Sequence, residues 1–415
     1  MGAAASRSAP PGYGLCYGAG SMRRVFTARL GLLAFGHLAI DAYSSFFTPL
    51  LPLLAQKLDL NLTSIGTLVA LTSISTSWAQ PLFGLLSDRL RRPWFVAFAP
   101  LVAAVFMSSL GFAQSYGALV ALLMLGGLGV AAFHPEAAVL AGNLSPRRGI
   151  AMSLFITGGT LGFALGPLFA AGVVGAFGLE RTWIAVLPGL VVASLMLVWF
   201  ARVGPRPRHE TVRPPLRELR PVLWPLTLLY FATVARSAVS YGFMTFLPMH
   251  LHARGASLSR GGLMVSLYLL AGATGGLLGG WLADRVGGRR VILVSFLISA
   301  PLYAGFLLLP DAPGLTCLVA GSFALQTSLP VNVVLGQELS PRHSSTLSSL
   351  LMGAAWGLGA MLIGPVGALS DRFGLRAGLA VLTGMLAVGA FCAALLCAAP
   401  ASQQAVVLPA AGESG

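Results

Sequence analysis

His37, Asp41, His134, Glu136 and Arg236 stand inside stretches that are otherwise almost wholly apolar. A charge held in lipid costs on the order of 2.5 to 3.5 kcal/mol on insertion scales, so each is a default functional candidate. Asp41 follows His37 by four residues, which puts both on one helical face. A carboxylate beside an imidazole can exchange a proton near neutral pH, or it can serve as a structural polar pair. Glu136 is a second candidate proton site, with His134 beside it. Residues two apart on a helix point to different sides and no P-C-x-x-C follows, so His134-x-Glu136 does not read as zinc chemistry and no metal is expected. Arg236 offers a planar fork that matches carboxylate or phosphonate oxygens, for an anionic ligand or for Asp41. Gln80, Gln326 and Asn332 either line a polar cavity around these groups or bond between helices.

The elements that must position these side chains are membrane helices. Of 415 residues, 56% are hydrophobic and 9% charged, with a mean hydropathy of +0.83. Runs of roughly 20 apolar residues fall at about 28–54, 63–86, 94–113, 116–142, 149–176 and 182–202, and again at 222–250, 260–283, 290–310, 314–337, 345–369 and 377–398. Backbone groups in hydrocarbon need internal partners and no alternating barrel strands are present, so the fold is expected to be all-α, with twelve spans. The expected organisation is a disordered tail over 1–27, six-helix bundles over 28–202 and 222–398, a linker over 203–221 and a tail over 399–415. The linker is rich in Pro and Arg.

The two bundles are copies. Gly84-Leu-Leu-Ser-Asp88-Arg89 recurs 196 positions on as Gly280-Trp-Leu-Ala-Asp284-Arg285, and the same offset pairs Pro52 with Pro248 and Gly66 with Gly262. Parallel repeats of this kind are a transporter architecture, with the substrate site at their interface near the bilayer midplane. At this offset Arg236 matches Ile40, beside Asp41, and Glu136 matches Asn332, which cannot titrate; proton chemistry is therefore expected in the first half.

Charge reports orientation. With both termini on one side, 19 of the 26 Lys and Arg residues fall on that side, six fall opposite and Arg236 lies within a span. That bias places both termini in the cytoplasm and accounts for the net charge of +14 without nucleic-acid binding. The only lysine is Lys57, so no GxxxxGK[ST] loop exists and ATP bound to this chain drives nothing. Cys16, Cys317, Cys392 and Cys397 show no metal spacing. The first 21 residues lack a signal-peptide core, and although residues 1–6 fit a loose myristoylation pattern, twelve spans need no lipid anchor.

The loop from Gly84 through Asp88 and Arg89 to Arg92, and its copy from Gly280 through Asp284, Arg285 and Arg289 to Arg290, resemble the signature G-x-L-a-D-R-x-G-R-R/K of the major facilitator superfamily. Their charges could latch neighbouring helices in one gating state. Gly162, Gly166 and Pro167, with Gly158 and Gly159, resemble the antiporter motif of that superfamily's drug exporters, with Ala170 and Ala171 in place of its last two glycines; small-residue packing is the alternative reading. Within the superfamily the chain is similar to the fosmidomycin-resistance type of exporter, through His37-Leu38-x-x-Asp41, Gln80-Pro81, Phe133-His134-Pro135-Glu136 and Gln337-Glu338-Leu339. Glu338 is expected to pair with the arginines at 285–290.

The resemblance implies a plasma-membrane antiporter that exports a small polar or anionic compound against proton entry, needing no cofactor beyond the proton gradient. Its partners would be the bilayer, protons and the small-molecule substrate, and one chain is expected to work as a monomer. The alternatives are uptake of an organic anion and a non-transporting sensor on the same scaffold. An enzyme is disfavoured, since no credible nucleophile or metal set is present.

Overall fold

The structure is a computed structural model and describes residues 19–89, 93–144, 148–200 and 215–398. Arg92, residues 201–202 at the end of the first bundle, the 203–214 part of the linker and the 399–415 tail lie outside the described residues, as do the side chains of Asp88 and Arg89.

In the first half, α1 (Ala19–Ser44) continues through a 3-10 turn into α2 (Leu51–Leu58). There follow α3 (Leu62–Ser73), a π-helical turn (Ile74–Trp78), α4 (Gln80–Arg89), α5 (Trp94–Ser108), α6 (Tyr116–Asn143), α7 (Arg148–Phe177) and α8 (Val186–Phe200). The second half runs α9 (Leu223–His252), α10 (Leu258–Val286), α11 (Gly288–Leu308), α12 (Asp311–Gln326), α13 (Ser328–Leu339) and α14 (Ser344–Ser348). A second π-helical turn (Ser349–Ala354) then leads to α15 (Ala355–Met361), α16 (Ile363–Phe373) and α17 (Leu375–Ala398).

Eleven helices among the described residues are long and apolar enough to cross a membrane. The remaining crossing runs from Leu62 to Arg89, where α3 and α4 flank the π turn and its serines and threonine. The fold is therefore all-α, with twelve crossings in two repeats of six. Leu82, Leu277 and Phe391 are 64%, 67% and 65% exposed, a burden that a lipid-facing surface carries without penalty.

One detail departs from the sequence reading. The first helix begins at Ala19, nine residues before the expected 28, within the stretch taken as a tail. Pro135 lies within α6, which runs unbroken from Tyr116 to Asn143; neighbouring helices can satisfy the carbonyl that a proline inside a membrane helix frees.

Polar contacts at the helix ends define the two faces. Lys57 Nζ donates to Glu180 Oε1 at 2.7 Å and to the Gly111 carbonyl at 2.6 Å, gathering three connections at one face. At the other, Arg342 pairs with Glu218 at 3.8 Å. The halves meet closely toward the first of these faces. There Gly66 and Gly367 of α3 and α16 admit the opposing backbones of Ile363 and Leu62, and Gly262 of α10 lies against the Pro167 carbonyl and Ala171 of α7. The Leu168 N–H donates to Ser266 Oγ across the same boundary at 3.1 Å.

Candidate functional site

The first half's polar site is built on a seam between α1 and α7. Gly158, Gly162 and Gly166 recur every four residues, and a Cβ on any of them would strike the α1 backbone at Ala34, Leu38 or Ala42 respectively. The motif glycines thus work here as packing residues, letting the two backbones touch. Pro167 has no N–H to give the Phe163 carbonyl one turn earlier; Ser45 Oγ donates to that carbonyl at 2.8 Å instead.

Between these backbones lies a three-residue cluster. His37 Nε2 is 3.3 Å from Asp41 Oδ2, and His134 Nε2, reaching across from α6, is 3.2 Å from Asp41 Oδ1. The far nitrogen of each ring faces a carbonyl: His37 Nδ1 lies 2.8 Å from the Phe155 oxygen and His134 Nδ1 2.7 Å from the Val130 oxygen. The His37 ring also stacks on Phe155, with centroids 4.0 Å apart. The side chains of His37, Asp41 and His134 are 8%, 16% and 25% exposed, so the cluster is sheltered without being sealed.

Its protonation follows from donor and acceptor counting. A carbonyl only accepts, so each Nδ1 carries a hydrogen, and each Nε2–carboxylate contact then needs one proton of its own. With both protons in place the cluster is +1; with one it is neutral; with none it is −1. In the empty state two lone pairs face two carboxylate oxygens. Such an arrangement has room for two protons and is repulsive without them.

The three donor atoms also lie within 4.8 Å of one another, close enough for a divalent cation to bridge. No fourth Cys, His, Asp or Glu joins them among the described residues.

Glu136 does not join this cluster. It is 1% exposed, and its carboxylate accepts from Ser87 Oγ at 2.9 Å and from the Val96 N–H at 2.8 Å, in the first turn of α5. It braces the first signature loop against its neighbour.

Arg236 is 3% exposed in α9 and pairs with no carboxylate among the described residues. Nη1 donates to Gln326 Oε1 at 2.9 Å, Nη2 to Ser237 Oγ at 3.1 Å, Cζ stands 5.5 Å from the Trp356 ring centroid, and Nε has no partner. Its contacts thus lie within its own half rather than with Asp41. Asn332 is buried with both amide atoms unpartnered, and Gln80 turns back to the Thr76 carbonyl at 2.8 Å.

At the second signature loop, Glu338 shares a cavity with Arg289 and Arg290 but makes the expected ion pair with none of Arg285, Arg289 and Arg290 among the described residues. Arg285 lies over the Trp281 ring at 3.7 Å, and Arg289 Nη1 donates to the Leu396 carbonyl at 3.0 Å. Sequence reasoning missed Phe155, whose part in the site is played by a backbone oxygen, and Ser45, for which the Pro167 four residues after Phe163 was the available signal.

Twelve apolar crossings in two repeats, with ionisable groups gathered between their helices, define a multi-pass membrane transporter. A sequence model of the Major Facilitator Superfamily matches residues 33–364. The chain belongs to that superfamily and is a transporter, not an enzyme. It is 31% identical over 358 residues to the MFS-type transporter YfnC of Bacillus subtilis, covering 82% of this chain and 85% of YfnC. It is 30% identical over 356 residues to the fosmidomycin resistance protein of Escherichia coli, covering 83% and 86%. A bacterial homologue of the human lysosomal transporter Spinster, in an inward-facing and occupied conformation, shares the fold with a TM-score of 0.77 and 18% identity, covering 91% of this chain and 98% of that one.

Proposed function

We propose that the chain is a proton-coupled antiporter of the plasma membrane, exporting a small polar or anionic compound by alternating access, with both termini in the cytoplasm. The observation that carries this reading is the double contact of Asp41 with His37 and His134. A cluster that changes charge by taking up or releasing protons is what coupling to a gradient requires, and each charge moved across 100 mV supplies about 2.3 kcal/mol. The buried guanidinium of Arg236, without a carboxylate partner among the described residues, is the reason to expect an anionic group on the cargo. Likeness to a fosmidomycin resistance protein supports export. The cytoplasmic placement of the basic connections makes the face near residues 60 and 374 the outer one, so the arrangement described is closed to the outside.

The test is a susceptibility screen of a host lacking its own exporters, with and without this protein, including phosphonate antibiotics. It is followed by transport into vesicles under an imposed pH gradient. Gradient-driven accumulation of a protective compound is the expected result. Accumulation independent of the gradient would overturn the coupling.

A further inference from the structure

The six-residue pattern that opens both signature loops occurs a third time, as Gly367-Ala368-Leu369-Ser370-Asp371-Arg372. The first two copies end α4 and α10 at one face of the protein, whereas the third ends α16 at the opposite face. This third copy is engaged across the boundary between the halves. Asp371 Oδ1 accepts from the Leu62 N–H at 2.9 Å, and Oδ2 accepts from the Thr63 N–H at 2.8 Å and from Thr63 Oγ1 at 2.5 Å. Two of the N–H groups that a helix leaves unsatisfied at its start are thus capped by a side chain more than 300 residues away. The next N–H, that of Ser64, goes to Asn61 Oδ1 at 2.8 Å. One turn before Asp371, Gly367 lets α16 approach the Leu62 carbonyl so closely that a Cβ would collide with it.

At the opposite face the glycines of both other copies and the aspartate of the second are disengaged. A Cβ on Gly280 would meet nothing within 4 Å, one on Gly84 would meet only Pro135 at an ordinary 3.7 Å, and Asp284 makes no hydrogen bond or ion pair among the described residues. Glycine and aspartate are therefore used together in the third copy, where the halves touch, and both are idle in the second, where they do not. The glycine admits the opposing backbone, and the carboxylate four residues on captures the positive end of the helix it has admitted.

We propose that Gly367–Arg372 is a third docking segment of this kind and that Asp371, by capping α3, is the latch that holds the two halves together at the face near residue 374. Reversal of the transporter breaks this cap and leaves the first N–H groups of α3 to water.

The test needs neither cargo nor protons, so its failure is distinct from failure of the antiport reading. Nitroxide pairs are placed on purified full-length protein lacking its native cysteines. One pair replaces Arg181 and Phe373 at the latched face, and the other replaces Trp94 and Val286 at the opposite face. Loss of one helix cap shifts such an equilibrium about fivefold. Asp371→Ala should raise the long-distance population of the first pair by at least about that factor and shorten the second pair. Asp371→Asn, which keeps an acceptor oxygen, and Thr63→Val, which keeps the carboxylate, should shift both pairs in the same directions by less, and they carry the test should Asp371→Ala fail to fold. Arg372→Ala should leave both distributions unchanged. Unchanged distributions in Asp371→Asn and Thr63→Val, or an equal response to Arg372→Ala, overturn the latch.

Discussion

Gly159 of α7 lies directly beneath the Asp41 carboxylate. A Cβ there would come within 2.7 Å of Oδ2 and would also strike the His37 ring at Cε1 and Nε2. The glycine is thus part of the His37–Asp41–His134 cluster by leaving room for it. Gly159→Ala should displace one imidazole from the carboxylate at a cost of about 1 to 3 kcal/mol, the usual range for overpacking. A thermal shift would register the cost, and vesicle transport should lose its dependence on the pH gradient. Gradient-driven transport at the unsubstituted rate would show that the cluster tolerates the methyl group.

Asp41→Asn keeps the shape of the side chain and removes its charge. Gradient-driven accumulation should stop, while exchange of substrate between the two sides, which moves no net proton, should survive in reconstituted vesicles. His37→Ala should shift the pH profile without abolishing transport, because His134 keeps its contact with Oδ1. Accumulation by Asp41→Asn under a pH gradient would move the coupling to another residue.

Arg236→Lys retains a cation and loses the planar fork that now reaches Gln326 and Ser237. The half-saturation concentration for an anionic cargo should rise about tenfold, the loss of one charge-assisted hydrogen bond, with insertion unaffected. An unchanged half-saturation concentration would leave Arg236 as scaffold.

Glu136→Gln separates the structural carboxylate from the coupling one. Its bonds to Ser87 and the Val96 N–H predict a loss of about 1.5 to 3 kcal/mol in stability, with proton coupling per transported molecule unchanged. A measured change in stoichiometry would return Glu136 to the transport cycle.

Orientation has its own test. Single cysteines near Arg92, Arg148, Arg213 and Arg289, in a background without the native four, should resist an impermeant thiol reagent applied to intact cells. Labelling at two or more of these positions would reverse the orientation.

The crossings were legible because lipid imposes a simple rule on composition, and the 196-residue offset was legible because duplication preserves spacing. His37 and Asp41 were found together because a helix puts fourth neighbours side by side. His134 was singled out for its type alone. Its contact with Asp41 spans 93 positions and depends on how α6 packs, which no local period encodes. The same limit explains Glu136. Its burial was foreseeable, but one of its partners is a backbone N–H at the start of α5, and backbone groups look alike in every sequence. Asp371 escaped notice because a charge at the end of a span reads as a loop anchor until the opposing helix is seen.

The two π-helical turns have a consequence for register. Ile74–Trp78 and Ser349–Ala354 lie in the two spans whose far segments, α3 and α16, join the halves. The turns themselves approach one another, since a Cβ added to Gly353 would stand 3.7 Å from the Ser77 carbonyl oxygen. A π turn holds an extra residue, so it rotates everything beyond it by roughly a quarter of a turn relative to an unbroken α-helix. The face that α3 offers to α16 is therefore set separately from the face that α4 offers to α6. Deleting one residue from either turn would keep the span long enough to cross the bilayer while pointing one of its ends at the wrong neighbour.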